Sequence, residues 1–531
     1  MHKRYIVVTA LAAAMVTVLA GCSAPKETTI VNGDAPSQDV LAMPEGSVDS
    51  AVKKLPEIVK SVMERTGVPG VAVSVVHGGE TVFAEGYGVR KKGEEAKVDA
   101  DTVFQIASVS KSLGATVVAT QVTQGVVDWT TPITDSLPEF ELADPWISEH
   151  VTIGDFYSHR TGLPFAAGDS LEDIGYDRDY VIDHLKYQTL APFRASYAYA
   201  NFGITVGAEA VAKAAGTDWE TLSDEQLYQP LGMDSTSSRH SDFVERENKA
   251  TIHAKVAEKD FEPLYERNAD PQSPAGGVSS SVNDMAKWME LILAGGTYEG
   301  KELVSEEALL PAVTSENISS HPQAMDQRSG TYGYGFGVGV QPSGRVNLSH
   351  SGAFSLGAAT NFQMMPSADV GIVVLTNGGP VGAPEAITAE FLDIVQFGHS
   401  TRDWVVDYSH AMAGYYAPAG DLAGETAPAN AAQAKPLSAY VGEYTNDYYG
   451  PATVTEENGS LVVAVGPDGV STAELEPWDG DTFAFVPMGE NAPEGSLSSV
   501  KFAATGDAVT SMTLDFFNSE TGLLGTWERA D

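Results

Sequence analysis

The stretch Val103-Phe104-Gln105-Ile106-Ala107-Ser108-Val109-Ser110-Lys111 changes character at its centre. Val103 to Ile106 read as a short strand, whereas Leu113 to Val122 is an apolar helical run that Gly125 is placed to end. Ser108 therefore stands at a helix N-terminus. Free N–H groups and the positive end of the helix dipole favour a developing oxyanion there. Within Ser-x-x-Lys the hydroxyl and the amine share one helical face one turn apart, so Lys111 is within reach of the Ser108 proton. Ser50-Ala51-Val52-Lys53 and Ser498-Ser499-Val500-Lys501 match the same pattern without that setting. The first opens a solvated helix and the second lies in a β-rich segment.

Outward from this stretch the chain organises itself around terminal secondary structure. From Asp49 to Arg65, Val52, Leu55, Ile58, Val59, Val62 and Met63 recur at three and four, which predicts an amphipathic helix stopped by Gly67. Val71 to Val76 and Thr81 to Glu85 flank His77-Gly78-Gly79 as a hairpin. A second hairpin, Gly357 to Met365 and Val370 to Thr376, turns at Pro366 to Asp369. Val346 to Ala353 supplies a fifth strand, and a helix runs from about Pro384 to Phe397. Helix and strands at both ends of a region whose middle, about 100 to 340, reads as helical and irregular predict an α/β (α+β) fold. In it an antiparallel sheet is flanked by helices and carries an inserted helical region, with a cleft between the two. The loops Gly168 to Asp183 and Tyr265 to Gln272 are expected to shape that cleft.

The far ends read differently. Lys3 and Arg4, the apolar run Tyr5 to Ala20 and then Leu19-Ala20-Gly21-Cys22 have the pattern of a lipoprotein signal peptide over 1–21, with Cys22 as the lipidated residue and a tether to 47. The run is shorter than the ~20 apolar residues that span a bilayer. This predicts a lipid-anchored protein of the cell envelope, facing the periplasm or the exterior, with the membrane as a partner. Residues 48–400 form the main domain, 401–436 an Ala/Pro-rich linker, and 437–531 a small antiparallel β domain with strands such as Leu461 to Val465, Thr482 to Val486 and Met512 to Phe516. That β domain reads as a structural appendage. Tyr448, Tyr449 and Phe516 are its candidates for lining a ligand groove or covering the cleft.

Composition sets limits. Of 531 residues, 72 are acidic and 31 basic, a net charge of −41 that repels phosphates, so nucleic acid is excluded as an expected partner. The single cysteine, Cys22, permits no intrachain disulfide and no multi-cysteine metal site. No metalloprotease, nucleophile-elbow or phosphate-loop motif is present, and the expectation is a protein without cofactor or metal. The sequence leaves the oligomeric state open.

Two further motifs complete a set. In Tyr199-Ala200-Asn201 a phenol is available for proton transfer and an amide for orienting a substrate. In His350-Ser351-Gly352 on a strand, glycine permits close backbone approach and histidine offers a tunable charge. Tyr197 reads as packing, His159 as structural and Trp288 as the apolar face of a helix.

Ser-x-x-Lys, Tyr-x-Asn and then a basic residue-x-Gly, in this order, resemble the serine β-lactamase and D,D-peptidase superfamily, specifically its class C-like serine hydrolases. Asp155 to Pro164, Pro274-Ala275-Gly276-Gly277 and Gly371 to Gly378 resemble that family's framework segments, and the likeness runs from about 48 to 400. The resemblance implies Ser108 as nucleophile, Lys111 as the group that lowers the proton affinity of its neighbours, and Tyr199 as general base and acid. For that role Lys111 is expected to shift the phenol downward from about 10. Asn201 would hold a substrate carbonyl, the N–H groups of Ser108 and Ala353 an oxyanion, and His350 and Gly352 the substrate. The β-lactamases carry Lys-Thr-Gly where this chain has His350-Ser351-Gly352. A mostly neutral histidine is no permanent counter-charge for a carboxylate, so the substrate expected is a small-molecule ester, amide or D-amino-acid peptide. The alternatives are a β-lactamase or penicillin-binding protein, and a non-catalytic envelope sensor. The β domain resembles the small lipocalin-like module appended to some of these hydrolases.

Overall fold

The structure, a computed structural model, describes residues 41–490, 492–521 and 523–530. Lys3, Arg4, Cys22 and the segment up to residue 40 lie outside the described residues. Residues 41 to 46 lead into α1 (Ser47–Thr66), whose Ala51, Leu55, Ile58, Val59 and Val62 are buried and whose end is fixed by Gly67 in the left-handed conformation. Both hairpins form: β1 (Gly70–His77) with β2 (Glu80–Gly88), and β7 (Ala358–Met365) with β8 (Val370–Thr376). β6 (Val346–Phe354) lies beside β7, and α5 (Ala383–Phe397) follows.

Every residue of β7 and β8 is buried; β8 is accordingly a nearly continuous apolar run without alternation, whereas β7 also buries Thr360, Asn361 and Gln363. Successive side chains enter two cores. Val71, Val73 and Val75 of β1 pack with α1 and α5. Ala72 and Val76 join the core on the opposite face, together with Met285, Trp288 and Met289 of α4 (Val282–Leu293). Trp288 stacks on Phe336 and meets Phe362 edge-on, as its place on an apolar helix face predicts.

The sheet has eight antiparallel strands rather than five, in the order β2-β1-β8-β7-β6-β5-β4-β3. The additional strands β3 (Asn317–Ser320), β4 (Gly330–Tyr332) and β5 (Gly337–Val340) fall in the stretch read as helical and irregular. They are three or four residues long and rich in Gly, Ser and Asn, so they carry no apolar alternation. Strand pairing in the tertiary structure, not local preference, makes them strands.

The inserted region is built on α2 (Ser110–Thr123) and α3 (Asn201–Ala215). α2 is buried from Ser110 to Gln121, a helix enclosed on all sides. The strand-like Phe104–Gln105 pairs with Ser279–Ser280 in a two-stranded ladder apart from the main sheet. Within the segment read as a linker, Trp404–Met412 form a further helix, α6, whose Trp404 and Tyr408 pack on α5.

The C-terminal strands close into an eight-stranded antiparallel barrel in which neighbours follow chain order and the last strand pairs with the first. These strands are β9 (Gly442–Thr445), β10 (Ala452–Glu457), β11 (Ser460–Val465), β12 (Ser471–Asp479), β13 (Thr482–Phe485), β14 (Ser498–Thr505), β15 (Ala508–Leu514) and β16 (Thr526–Arg529). Tyr448, Tyr449 and Phe516 are buried. The Tyr449 hydroxyl sits 3.1 Å from Ser170 Oγ, and the Tyr176 hydroxyl donates to the Tyr449 carbonyl at 3.0 Å, so these aromatics dock the barrel onto the inserted region. Among the described residues no helix is long and apolar enough to cross a membrane.

Candidate active site

Ser108 lies in a single 3-10 turn, Ala107–Val109, that runs directly into α2. Ala107 has φ 47°, a left-handed conformation that a residue with a Cβ adopts at a cost. The turn is pinned on both sides. Ser110 Oγ donates to the Ala107 carbonyl at 2.6 Å and accepts from Val278 N at 3.1 Å. The Thr360 hydroxyl of β7 donates to the Ile106 carbonyl at 2.8 Å. The sheet and the inserted region thus hold the serine from opposite sides.

One turn on, Lys111 is buried. Its Nζ donates to Ser108 Oγ at 3.2 Å, to Asn201 Oδ1 at 2.7 Å and to the Ala275 carbonyl at 2.9 Å. Burial penalises the ammonium and brings Lys111 down to about 7, with the negative charge of Asp169 opposing the shift. Asn201 Nδ2 donates to Asp169 Oδ2 at 2.9 Å, so its amide bridges the amine and a carboxylate. Sequence reasoning missed Asp169, which belongs to the predicted cleft loop Gly168 to Asp183 but to no motif.

Tyr199 covers the other side of Lys111, whose Nζ lies 4.5 Å from the phenol ring centroid. The expectation that Lys111 lowers this phenol is not met. Burial raises Tyr199 well above its ordinary value, and the opposing hydrogen bond with Ser108 is the weaker effect. Of the pair, Lys111 is the group that titrates near neutrality and Tyr199 is a proton-bearing phenol. Behind it His159 is structural, as read: its ring lies 4.6 Å from that of Tyr199 and its Nδ1 accepts from Ala200 N at 3.2 Å.

His350 lies on β6 across the cleft. Its Nδ1 is 2.6 Å from the Ser351 carbonyl, which only accepts, so Nδ1 carries the proton and Nε2 accepts from the Tyr332 hydroxyl at 2.8 Å. Burial and the nearby Lys111 charge push the imidazole down to about 3, so it is neutral. With both nitrogens engaged by the protein, His350 shapes the cleft without offering a charge to substrate. Gly352 is required by contact: a Cβ there would fall 2.3 Å from the Ile106 carbonyl oxygen and 2.9 Å from Ser108 N. β6 also outruns β5, whose pairing ends at Gly337 with Ser349, so residues 350–354 present an unpaired edge beside Ser108.

A cavity of about 380 Å³ opens over this edge, lined by Ser108, Tyr199, His350, Ala353, Glu385 and Tyr415 among others. Glu385 of α5 was not anticipated. Its place in the first turn of a helix is one that carboxylates favour for the dipole alone, and no sequence signal set it apart. Its side chain is buried and its carboxyl is raised to about 7 by that burial. On the opposite side of Ser108 a second recess is lined by Asp169, Glu172, Asn201, Arg267 and Glu490. Arg267 binds Glu172 through both terminal nitrogens at 3.0 Å each and, through Nε, Glu490 Oε2 at 2.8 Å. Both predicted loops therefore reach the site. The barrel reaches it as well, through Glu490 rather than through its aromatic residues.

Comparison with known proteins agrees with this architecture. Residues 55–396 match the Beta-lactamase family, and residues 426–523 match a domain of unknown function, DUF3471. An unguisins hydrolase of Aspergillus campestris is 29% identical over 48% of this chain and 49% of its own length, so the chain spans about half of that relative. The D-alanyl-D-alanine-carboxypeptidase/endopeptidase AmpH of Escherichia coli K12 is 24% identical over 61% of this chain and 86% of its own. Among solved structures, the octameric penicillin-binding protein homologue from Pyrococcus abyssi superposes with a TM-score of 0.58 at 19% identity, covering 88% of this chain and 98% of that one. With Ser108, Lys111 and Tyr199 in contact at the mouth of one cleft, and with more than half of the chain matched, the protein belongs to the Beta-lactamase family of serine hydrolases.

Proposed function

We propose that the protein hydrolyses a small-molecule ester or amide through an acyl-enzyme on Ser108. The observation that carries this is the 3.2 Å contact between Lys111 Nζ and Ser108 Oγ, with the amine brought down to about 7. At neutral pH a large fraction of Lys111 is uncharged and accepts the Ser108 proton as Oγ attacks the carbonyl carbon. The oxyanion forms toward the N–H groups of Ser108 and Ala353, at the head of α2 and on the open edge of β6. Tyr199, a phenol throughout the neutral range, gives its proton to the leaving group and recovers one from the Lys111 ammonium. Water then attacks the acyl-enzyme by the reverse proton path and releases the acid.

The neutral His350 favours an ester, an amide or a D-amino-acid peptide over a β-lactam, since no permanent cation stands on β6 to grip a ring carboxylate. The test is intact-protein mass after exposure to a fluorophosphonate and, separately, to a fluorescent penicillin. One fluorophosphonate adduct that disappears in Ser108→Ala is the expected result, with little penicillin adduct. A folded protein that takes up neither reagent overturns the reading.

The reading includes envelope localisation by lipid at Cys22, supported by the basic start, the short apolar run and the small residues before that cysteine. Incorporation of labelled fatty acid that is lost in Cys22→Ser is the expected outcome. Unchanged incorporation excludes this anchor.

A further inference from the structure

Glu385 has no role in the chemistry above, yet its setting is built. Thr388 Oγ1, one turn along α5, donates to Asn361 Oδ1 at 2.6 Å, and Asn361 Nδ2 donates to Ser351 Oγ at 3.0 Å. With its oxygen accepting from Asn361, the Ser351 hydroxyl turns its hydrogen to the Glu385 carboxyl, the side-chain hydrogen bond that holds that group. The relay fixes one end of the carboxyl, and the middle residue of His350-Ser351-Gly352 is part of it.

The other oxygen, Oε2, is buried and has no hydrogen-bond partner. The side chain is 5% exposed and lines the same cavity as Ser108. An oriented carboxyl with an empty acceptor costs free energy unless something fills it. Among the described residues that line this cavity there is no lysine or arginine, and its one histidine is neutral. The recess on the other side of Ser108 is acidic too, its single arginine held between Glu172 and Glu490. A substrate carboxylate entering beside β6 would find no counter-charge and an acidic neighbour. A substrate ammonium would complete an ion pair.

We infer that Glu385 selects substrates that carry a positively charged amine into the cleft beside Ser108, which directs the enzyme to amine-bearing esters or amides and away from carboxylate-terminated ones. This deepens the acyl-enzyme reading and rests on it. The ammonium favours the ionised carboxyl, whose proton passes to solvent, so the pair forms with Glu385 charged.

The test uses the full chain and five acyl 4-nitroanilides: alanyl and 4-aminobutyryl, which carry an ammonium; propionyl and butyryl, which carry a methyl; and succinyl, which carries a carboxylate. Each is measured as a substrate and as a protector of Ser108 against a fluorophosphonate, so that slow turnover still yields an answer. The wild type is expected to favour the ammonium-bearing compounds over their methyl counterparts at least about tenfold in one or both measurements. Glu385→Gln, nearly the same shape, is expected to collapse that ratio toward one, and Glu385→Lys to move the preference to the succinyl compound. A wild-type ratio at or below one, or a ratio that Glu385→Gln leaves in place, overturns the inference while labelling at Ser108 keeps the hydrolase reading intact. A wild type that no fluorophosphonate labels overturns both.

Discussion

Lys111 and Tyr199 divide the proton work because burial acts on them in opposite senses. Desolvation always disfavours the charged form, so it lowers an amine and raises a phenol. Lys111 reaches about 7, and its unfolded reference is 10.5. Between those values the native protein holds fewer protons on this group than the unfolded chain does. The penalty on stability is therefore full below about 7 and is relieved as pH climbs through that window. For reactivity, the fluorophosphonate labelling rate of Ser108 is expected to rise about tenfold per pH unit below 7 and to level off above it. Lys111→Met should remove the step and lower the rate by ~10²–10⁴, as measured by quenched labelling time courses from pH 5 to 9. Tyr199→Phe is expected to lower kcat/KM for a nitroanilide by a similar ~10²–10⁴, because the leaving group loses its acid. Wild-type turnover in that variant would transfer the acid role elsewhere.

The contact between β6 and the turn that carries Ser108 is the element on which the site depends. Gly352 lets the strand approach until a Cβ would fall 2.3 Å from the Ile106 carbonyl oxygen and 2.5 Å from Thr360 Oγ1. Neither neighbour retreats freely, since the Thr360 hydroxyl is bonded to that same Ile106 carbonyl at 2.8 Å. Gly352→Ala should separate strand and turn, destabilise the fold by about 1–3 kcal/mol and reduce Ser108 labelling more than the melting temperature falls. Thermal unfolding and labelling rate, measured on the same preparation, check this. A variant with wild-type Tm and labelling would show that the strand relaxes without cost. The same geometry explains how readable the element was. The glycine and the strand were legible because both follow from local preference, whereas Ser351's partners Asn361 and Glu385 come from β7 and α5 and carry no local mark.

For the whole molecule, the decisive joint is Arg267. It bridges Glu172 of the inserted region and Glu490 of the barrel, and their side chains are only 12%, 5% and 12% exposed, respectively. Removing one member of a buried ion pair leaves charge without compensation, which typically costs about 3–5 kcal/mol. Arg267→Met leaves two carboxylates facing each other and is expected to cost about that much in denaturant unfolding, with faster proteolysis between residues 417 and 436 as the barrel lifts. An unchanged midpoint and cleavage rate would show that the aromatic contact at Tyr449 holds the barrel alone.

What the amino-acid order determined by itself was whatever depends on neighbours in sequence. The amphipathic period of α1, the two hairpins and the run from Phe104 to Lys111 all express steric and hydrophobic preferences within a few residues. So does the spacing that puts Ser108 and Lys111 on one face of a turn. The tertiary structure alone decided the rest. It recruited short Gly- and Ser-rich segments as sheet strands, brought Asp169 to Asn201, and set Glu385 and Glu490 at the cleft from segments far along the chain. It also reversed the expected shift of Tyr199, because a pKa responds to water excluded by every surrounding element and not to the adjacent lysine alone.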